Sequence, residues 1–501
     1  MKTPVLIFLL RTHRAGRVPC GKLFLPMSGY RSLSDEASAR YDAYRLDELP
    51  HALRRNSLDY YYLSIYPSLS EMRPLAPGDE PVYPATVNNA YIHIPFCSGV
   101  CDFCSYYLVA ISSRRRADIA RYLQHVKAEL DLHARHTTLD ISYIYFGGGT
   151  PSLVPPDALQ DFLAYLSERR YLNPAAMGTL ELHPEFFGDA AAATYFLGIL
   201  RQYGIRRVSV GYQASDEDLL RATNRRHAAD FMSEAMAVLR TAGFLVNIDL
   251  MYGLAGQSLT SWERTLDDAV AFGPDSISTY FLFVDRETGL YERVRRGKVA
   301  LPNHRHVQTQ HLMAQLVLEF AGYYELPNDF WARNVGDPGT FRPERLPSAA
   351  VTLPVGPGAY GYYGGTQLAN VFDLVEYERR MLEGHVSPLW RAYELNDDEA
   401  FHRDVMFSLK NDPFVDCSLF RTAYNRSPLD HFGAILNQLA RLNMVDVTGD
   451  RICLTQKGRL CVEEIASLFR HPGIGAAADS EAGNRLLAKH NFAPTYPSVT
   501  W

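Results

Sequence analysis

Short runs of β-branched and aromatic residues alternate with longer amphipathic segments between about residues 88 and 335, and this alternation limits the fold more than any other feature. The runs, which we predict to be strands, are residues 91–94, 141–146, 179–182, 207–212, 245–251 and 277–283, with a further one near 323–326. The amphipathic segments, which we predict to be helices, include residues 117–132, 156–168, 190–202, 231–242 and 258–271. Such alternation is typical of a parallel α/β sheet. Since the units are too few for a closed eight-stranded barrel, we predict a partial (β/α)6 TIM-like barrel with its active site at the carboxyl ends of the strands.

The segments on either side of this core predict smaller units. Residues 1–87 read as an N-terminal extension and linker, and the part before Met27 reads as a poorly structured leader. The catalytic core is assigned to residues 88–365. Residues 366–472 predict a small, C-terminal, winged-helix-like domain with a hairpin at 444–448 and 452–455. Residues 473–501 have no periodicity and predict a mobile tail.

Composition narrows the class of protein. The 501 residues are 47% hydrophobic and 21% charged with a formal net charge of -6, which is typical of a soluble globular protein and gives no basic footprint for nucleic acid. The early apolar run at residues 5–10 is too short to span a bilayer. We therefore predict a cytoplasmic protein with a small-molecule substrate and neither a membrane nor a nucleic-acid partner.

The spacing of three cysteines predicts a metal centre. Cys97, Cys101 and Cys104 follow the first strand with the spacing C-x3-C-x2-C, whereas the other four cysteines are scattered. Three thiolates can hold three irons of a 4Fe-4S cluster and leave the fourth iron open. S-adenosylmethionine can chelate that iron and be cleaved to a 5′-deoxyadenosyl radical. The alternative is a structural zinc site completed by His93.

A glycine triplet one βα unit later is the second signal. Residues 147–151 read Gly-Gly-Gly-Thr-Pro and come directly after the strand at 141–146. Consecutive glycines let the backbone approach a ligand closely and offer it bare N–H and carbonyl groups. Alone, such a triplet is often only a turn; together with the cysteine motif it predicts a binding site for a small polar ligand.

The chain resembles the oxygen-independent coproporphyrinogen III oxidase family of the radical S-adenosylmethionine superfamily. The resemblance rests on Tyr-Ile-His-Ile-Pro-Phe before the first cysteine, on the glycine triplet, and on ordered blocks over about residues 60 to 470. Those further blocks are residues 210–213, 224–225, 247–254, 357–360, 403–405 and 454–460.

The resemblance implies a role for each matching residue. Cys97, Cys101 and Cys104 would ligate the cluster, and Tyr91 would lie close to it. The other residues would bind S-adenosylmethionine. Its amino-acid end would meet Gly149 and Thr150, its polar groups would be fixed by Glu181, Gln213, Arg225 and Asp249, and a second molecule would face Gly148 and Met251. A zwitterion in a closed pocket does need a carboxylate, a guanidinium and an acceptor for ribose hydroxyls. Arg225 and Asp249 could instead form a structural ion pair.

Departures from the family pattern concern the substrate. The oxidases usually carry a further cysteine just after the third ligand, where this chain has Ser105-Tyr106-Tyr107. The aromatic residues there look more like the branch of class C radical methyltransferases and cyclopropanating enzymes. In contrast, Tyr66-Pro67 resembles the N-terminal arm of the oxidases.

Three functions follow from these resemblances. The leading hypothesis is transfer of a methyl or methylene group to an sp2 carbon of a specialised metabolite, using two molecules of S-adenosylmethionine. Oxidative decarboxylation of coproporphyrinogen III and heme delivery by a chaperone are the alternatives. The chemistry implies a redox partner, such as flavodoxin or ferredoxin, as the electron donor.

Overall fold

The structure is a computed structural model that describes residues 32–58, 63–76, 79, 81–111, 116–225, 229–286, 288–327, 329–334 and 346–474. The predicted leader, with Cys20 and Met27, and the predicted tail beyond residue 474 lie outside these residues. The strands are β1 (Arg73–Pro74), β2 (Thr86–Ile94), β3 (Phe96–Cys97), β4 (Val109–Ala110), β5 (Thr138–Gly148), β6 (Leu172–Leu182), β7 (Ile205–Gln213), β8 (Leu245–Tyr252), β9 (Ser276–Phe281), β10 (Tyr324–Leu326), β11 (Phe330–Ala332), β12 (Thr352–Val355), β13 (Tyr360–Tyr363), β14 (Thr366–Asn370), β15 (Leu389–Glu394), β16 (Val415–Asp416), β17 (Val445–Thr448) and β18 (Arg451–Leu454). The α-helices are α1 (Leu33–Ala43), α2 (Arg116–His133), α3 (Pro156–Glu168), α4 (Ala190–Gln202), α5 (Glu217–Ala222), α6 (Ala229–Thr241), α7 (Leu259–Phe272), α8 (Gly289–Arg295), α9 (His304–Phe320), α10 (Leu374–Glu383), α11 (Asp397–Asn411), α12 (Cys417–Tyr424), α13 (Pro428–His431), α14 (Gly433–Arg441), α15 (Gln456–Arg459) and α16 (Val462–Ser467).

The six predicted barrel strands are present and lie side by side. The order β2-β5-β6-β7-β8-β9 is parallel throughout, which confirms the partial barrel. The strand expected near 323–326 exists as β10, but it is antiparallel and forms a hairpin with β11 at the β9 edge. At the other edge, β12 adds a further parallel strand beside β2, and β13, β14, β15 and β1 continue the sheet with antiparallel pairing.

The predicted helices cover the outside of this sheet. Helices α3 and α4 begin and end at the predicted residues. In α3, the side chains of Leu159, Phe162, Leu163 and Leu166 are buried, and this spacing of three and four residues places them on one face. Apolar side chains of the outward face of the strands complete the core, for example Ile92, Ile144 and Leu180.

The inner face of the strands is polar. Because side chains alternate along a strand, the residues between the apolar ones point into the barrel. These inner residues are Tyr91 on β2, Tyr145 on β5, Glu181 on β6, Ser209 on β7, Asp249 on β8 and Ser278 on β9. A lumen lined in this way can bind a polar ligand, whereas an apolar lumen would only be a core.

Buried ion pairs join the N-terminal segment to the rest of the chain. The guanidinium of Arg55 is 1% exposed, lies 3.3 Å from Glu464 Oε1 and 3.6 Å from Asp329 Oδ2, and donates to the hydroxyl of Tyr252. Nearby, Lys410 Nζ lies 2.6 Å from Oε1 of Glu463. The contacts of Arg55 connect the N-terminal segment with β8 and α16, and the Lys410–Glu463 pair connects α11 with α16.

The C-terminal residues form a second, three-stranded sheet of order β16-β18-β17 among helices α11 to α16. Its β17-β18 hairpin turns at Gly449, where φ is 58°, and agrees with the hairpin predicted at residues 444–448 and 452–455. Strands β13 and β14, on either side of residue 365, pair with each other in the barrel sheet. The division into domains stays a prediction. None of the helices in the described part of the chain combines the length and apolar character needed to cross a bilayer.

Candidate active site

The three cysteines lie on a loop at the carboxyl end of β2. Cys97 ends β3, which pairs with β4, and the Cys104 N–H donates to the carbonyl of Cys101 at 3.0 Å. The segment after α5 holds the loop from the other side: the amide of Asn224 donates to the Val100 carbonyl at 2.7 Å, and the Asp102 N–H donates to the carbonyl of Thr223 at 2.9 Å. The loop is therefore fixed by backbone contacts that do not involve the thiols.

The thiols sit in a partly buried, polar setting. Thr150 Oγ1 lies 3.2 Å from the sulfur of Cys97, and Arg225 Nη1 donates to the sulfur of Cys101 at 3.7 Å. Burial raises the pKa of Cys101, and the charge of Arg225 opposes that rise. Burial also raises the pKa of Cys104 to about 12. Since bound metal deprotonates coordinating thiols, these cysteines would become thiolates on binding iron.

The site fits a cluster better than a single zinc ion. No three His, Cys, Asp or Glu side chains of the described residues converge as ligands of one ion. His93, the alternative fourth ligand, uses both ring nitrogens elsewhere: Nε2 donates to the Tyr107 carbonyl at 2.8 Å, so Nδ1 accepts from the Tyr91 hydroxyl at 3.0 Å. Burial lowers the pKa of His93 to about 4, so the ring is neutral. In a 4Fe-4S cluster each thiolate binds a different iron, which suits ligands that stand apart.

The glycine triplet packs against the cysteine loop. The N–H groups of Gly149 and Thr150 donate to the carbonyls of Ile94 and Phe96 at 2.8 and 2.7 Å. A Cβ on Gly149 would stand 2.5 Å from the Phe96 oxygen, so only glycine permits this approach. Gly148 has a φ of 111°, and a Cβ there would meet the ring of His93 at 2.7 Å. These glycines set the distance between the loop and β5.

Glu181 is a buried acid on the inner face of β6. The hydroxyl of Tyr145 donates to its Oε1 at 2.8 Å. Burial, with a smaller contribution from the negative charge of Asp249, raises the pKa of Glu181 to about 7, although the hydrogen bonds from Tyr145 and Gly148 act in the opposite direction. This carboxyl group can therefore hold or release a proton near neutral pH.

Hydrogen bonds from Ser209 on β7 and Asn247 on β8 orient the carboxylate of Asp249. Its Oδ2 accepts from Ser209 Oγ at 2.9 Å, and its Oδ1 accepts from the amide of Asn247 at 2.8 Å. Burial raises the pKa of Asp249, and these hydrogen bonds oppose the rise. Met251 follows two residues later on β8 and is 9% exposed, packed among Leu219, Leu254 and Leu282.

Gln213 and Arg225 carry buried polar atoms without partners. Gln213 has a φ of 70° at a bulge where β7 leaves its register with β8, and its Oε1 is buried without a hydrogen bond. Arg225 donates to the Gly211 carbonyl and to Cys101, but its Nε is likewise buried and unsatisfied. Within the described residues, Arg225 and Asp249 form no ion pair with each other; each makes hydrogen bonds to other groups instead. Orphaned groups of both polarities beside the cysteine loop fit a zwitterionic ligand.

Three inner residues escaped the sequence analysis: Tyr145, Arg207 and Tyr280. Tyr280, and Tyr106 on the cysteine loop, are 38% and 57% exposed as whole residues. Desolvation is nevertheless the main cause that raises the pKa of both phenols, and the carboxylates of Glu181 and Asp249 add to the rise. Tyr145 and Arg207 lie within predicted strands as polar residues at alternate positions. That alternation was the available signal, because an inner face of polar residues is unusual for a parallel sheet.

Comparisons with known proteins agree with this geometry. The model of the Radical SAM superfamily matches residues 91–269. Heme chaperone HemW of Mycobacterium tuberculosis (strain CDC 1551 / Oshkosh) is 30% identical over 399 residues, which cover 78% of this chain and 96% of the chaperone. Heme chaperone HemW of Bacillus subtilis (strain 168) is 26% identical over 390 residues, which cover 76% and 99%.

Oxidases are matched over a similar length. Oxygen-independent coproporphyrinogen III oxidase of Pseudomonas aeruginosa is 26% identical over 399 residues, which cover 76% of this chain and 84% of the oxidase. The solved structure of coproporphyrinogen III oxidase (HemN) from Escherichia coli superposes with a TM-score of 0.70 and 24% identity, covering 83% of this chain and 99% of that one. The two chains therefore share a fold.

Proposed function

Because this chain belongs to the radical S-adenosylmethionine superfamily and, within it, to the HemN- and HemW-like family, we propose that it is an oxidase of the coproporphyrinogen III type. It would remove carboxyl groups oxidatively from side chains of a porphyrinogen. The family uses a 4Fe-4S cluster and S-adenosylmethionine. The relatives compared above bear the names of oxidases and heme chaperones, and they support these two alternatives over the transfer reaction that led the sequence analysis.

The observation that supports radical chemistry with S-adenosylmethionine is the pair of orphaned groups beside the cysteine loop. Gln213 Oε1 and Arg225 Nε are buried without partners, which costs about 1–3 kcal/mol each unless a ligand satisfies them. Gln213 also holds a left-handed backbone conformation, which favours glycine, asparagine or aspartate. Binding of S-adenosylmethionine beside the cysteine loop would recover this cost.

The residues of the chain would divide the binding of S-adenosylmethionine among them. Cys97, Cys101 and Cys104 would hold the cluster, with Tyr91 beside it. We assign the amino-acid end of the ligand to Gly149, Thr150, Glu181, Gln213 and Arg225, and its ribose hydroxyls to Asp249. When bound, the cluster and S-adenosylmethionine supply a 5′-deoxyadenosyl radical that takes one hydrogen atom from the substrate.

The electron count of the proposed reaction implies two redox partners. Loss of a hydrogen atom from the carbon next to a carboxymethyl group leaves a carbon radical. Release of CO2 then forms a C=C bond and frees one electron, which an external acceptor must take up. One further electron must first reach the cluster, and a small redox protein such as flavodoxin or ferredoxin is our proposed donor.

Methyl or methylene transfer is the second candidate. Tyr106, one of the residues that replace the usual cysteine of the oxidases, is exposed at the mouth of the barrel, where it would meet a substrate. Its neighbour Tyr107 is fixed, because its hydroxyl accepts from the N–H of Leu374 at 2.9 Å. Transfer would require a second S-adenosylmethionine beside Gly148 and Met251. In this structure the ring of His93 lies against Gly148, one of the two residues that the second molecule would face.

An anaerobic assay with the reconstituted protein, coproporphyrinogen III, a reductant and an electron acceptor tests the proposal. We expect 5′-deoxyadenosine and CO2 in a fixed ratio, without S-adenosylhomocysteine. Formation of S-adenosylhomocysteine together with 5′-deoxyadenosine would favour transfer instead. Tight heme binding with no 5′-deoxyadenosine would overturn the proposal and favour a chaperone.

Matched cysteine variants provide the control for this assay. Cys104→Ala removes a proposed cluster ligand, whereas Cys461→Ala changes a buried thiol of the C-terminal segment whose sulfur accepts from the Gln308 amide at 3.8 Å. Products should disappear in the first variant and persist in the second. Equal loss in both would show that the assay reports on folding and not on the cluster.

A further inference from the structure

Arg207 places a buried cation in the floor of the barrel. It lies on the inner face of β7 and is 5% exposed, whereas its neighbour Arg206 is exposed. The guanidinium donates to Ser276 Oγ at 3.3 Å and stacks over the ring of Phe330, with 5.8 Å between Cζ and the ring centroid. Burying a guanidinium is costly, so an anion nearby should compensate for it.

Asp249, one layer higher in the barrel, is an anion whose charge Arg207 stabilises. Register places Ser276 beside Asn247, and Ser278 beside Asp249. The amide of Asn247 donates to Ser209 at 2.8 Å, to Ser278 at 3.0 Å and to the Asp249 carboxylate at 2.8 Å. Arg207 thus lies one level below the polar side chains that orient Asp249, which are those of Ser209, Asn247 and Ser278.

We infer that Arg207 is a positioning residue for S-adenosylmethionine, which keeps Asp249 ionised and oriented to accept the ribose hydroxyls. This inference rests on the proposed contact between Asp249 and that ligand. Both carboxylate oxygens of Asp249 accept hydrogen bonds from the lower layer, which leaves their upper lone pairs for the ligand. A protonated Asp249 would lose one of these acceptors.

The charges around Asp249 agree with this role. Burial raises the pKa of Asp249, and Arg207 is the charged residue that lowers it. Glu181 on β6 is an acid, and Tyr145 on β5, Tyr106 on the cysteine loop and Tyr280 on β9 are neutral phenols that also face Asp249. Without Arg207 the pKa of Asp249 must rise, so binding should fail at a higher pH than in the wild type.

Equilibrium binding of S-adenosylmethionine to the reconstituted protein, between about pH 6 and pH 9, tests the inference. In Arg207→Gln we expect Kd near neutral pH to rise about tenfold or more, and the pH at which binding is lost to move upward. Arg207→Lys should restore much of the affinity, because it returns the charge. Arg206→Gln changes the exposed neighbour and should bind like the wild type.

A double variant separates positioning from general damage. In an Asp249→Asn background, whose carboxylate is already gone, Arg207→Gln should have little further effect on Kd. Cluster content, read from iron and visible absorbance, should stay the same in all five variants. Wild-type binding by Arg207→Gln, or an equal loss at every pH that persists in the Asp249→Asn background, would overturn the inference. Normal binding by Asp249→Asn alone would overturn it too, while leaving the oxidase assay untouched.

Discussion

The hydroxyl of Tyr145 donates a 2.8 Å hydrogen bond to Oε1 of Glu181 inside the barrel. This bond lowers the pKa of a carboxyl group that burial has raised to about 7. Ligand binding and protein stability should therefore respond to pH in opposite ways.

S-adenosylmethionine should bind more tightly as pH rises through about 7, because Glu181 must be ionised to hold an ammonium group. Tyr145→Phe removes the hydrogen bond that favours the carboxylate, so the midpoint of this dependence should move upward. Binding isotherms measured across the range give the midpoint. A pH-independent Kd in the wild type would contradict the role assigned to Glu181.

The stability of the ligand-free protein should show the opposite trend. A carboxyl group whose folded pKa lies above its unfolded value stabilises the fold at low pH, and that stability is lost as pH rises from about 4.5 to about 7. Glu181→Gln should therefore raise the free energy of unfolding above pH 7, by at most about 3 kcal/mol, and change it little near pH 4.5. Thermal melts at both pH values, with Glu185→Gln as the matched control, test this.

Gln213→Gly should separate binding from stability. Glycine relieves the left-handed conformation but adds entropy to the unfolded chain, so the free energy of unfolding should change by no more than about 1 kcal/mol. Affinity for S-adenosylmethionine should nevertheless fall about tenfold, because the amide is lost. Unchanged affinity would show that the orphaned amide does not face the ligand.

The cysteines should differ in how their replacement by alanine affects the iron content of the protein. Cys97→Ala, Cys101→Ala and Cys104→Ala should each prevent assembly of an intact cluster, measured as iron and sulfide per protein. Cys417 and Cys453 are buried in the C-terminal segment, and their alanine variants should retain full iron content. Loss of iron from Cys417→Ala would mean that a fourth cysteine takes part.

Arg55→Met should destabilise the fold without touching the cysteine loop. It leaves the buried carboxylates of Glu464 and Asp329 without their cation, a change that typically costs about 3–5 kcal/mol. Chemical denaturation measures the loss. Arg54→Met, at the neighbouring position, is the control, since Arg54 donates to backbone carbonyls such as that of Leu49 and forms no buried ion pair among the described residues.

The barrel could be predicted from sequence because its outer face is apolar with a clear period. Helices α3 and α4 were predicted to the residue, since proline or aspartate marks their starts and leucines and phenylalanines their buried faces. β12 escaped prediction, because a four-residue strand containing Pro354 gives no periodic signal. Its place beside β2 depends on a crossover of more than 200 residues, from Asn89 to Thr352, which local patterns cannot reveal.

The residues at the floor of the barrel were harder to predict than those in the loops at its mouth. Cysteine spacing and the glycine triplet indicated the top of the barrel, where ligand-binding residues cluster in the loops. Arg207, Asn247 and Ser209 lie within strands, where their alternation with apolar residues marks a polar face but does not show that this face lines a site. Only the register of β7, β8 and β9 brings them under Asp249.

The ion pair between Arg55 and Glu464 joins residues 409 positions apart. During synthesis, Arg55 leaves the ribosome long before its counter-ion is made. The cysteine loop, in contrast, also contacts residues that follow it sooner, such as Arg293, which donates to Asp102. The N-terminal segment can therefore complete its buried ion pair with Glu464 only after α16 has been made, when most of the described chain already exists.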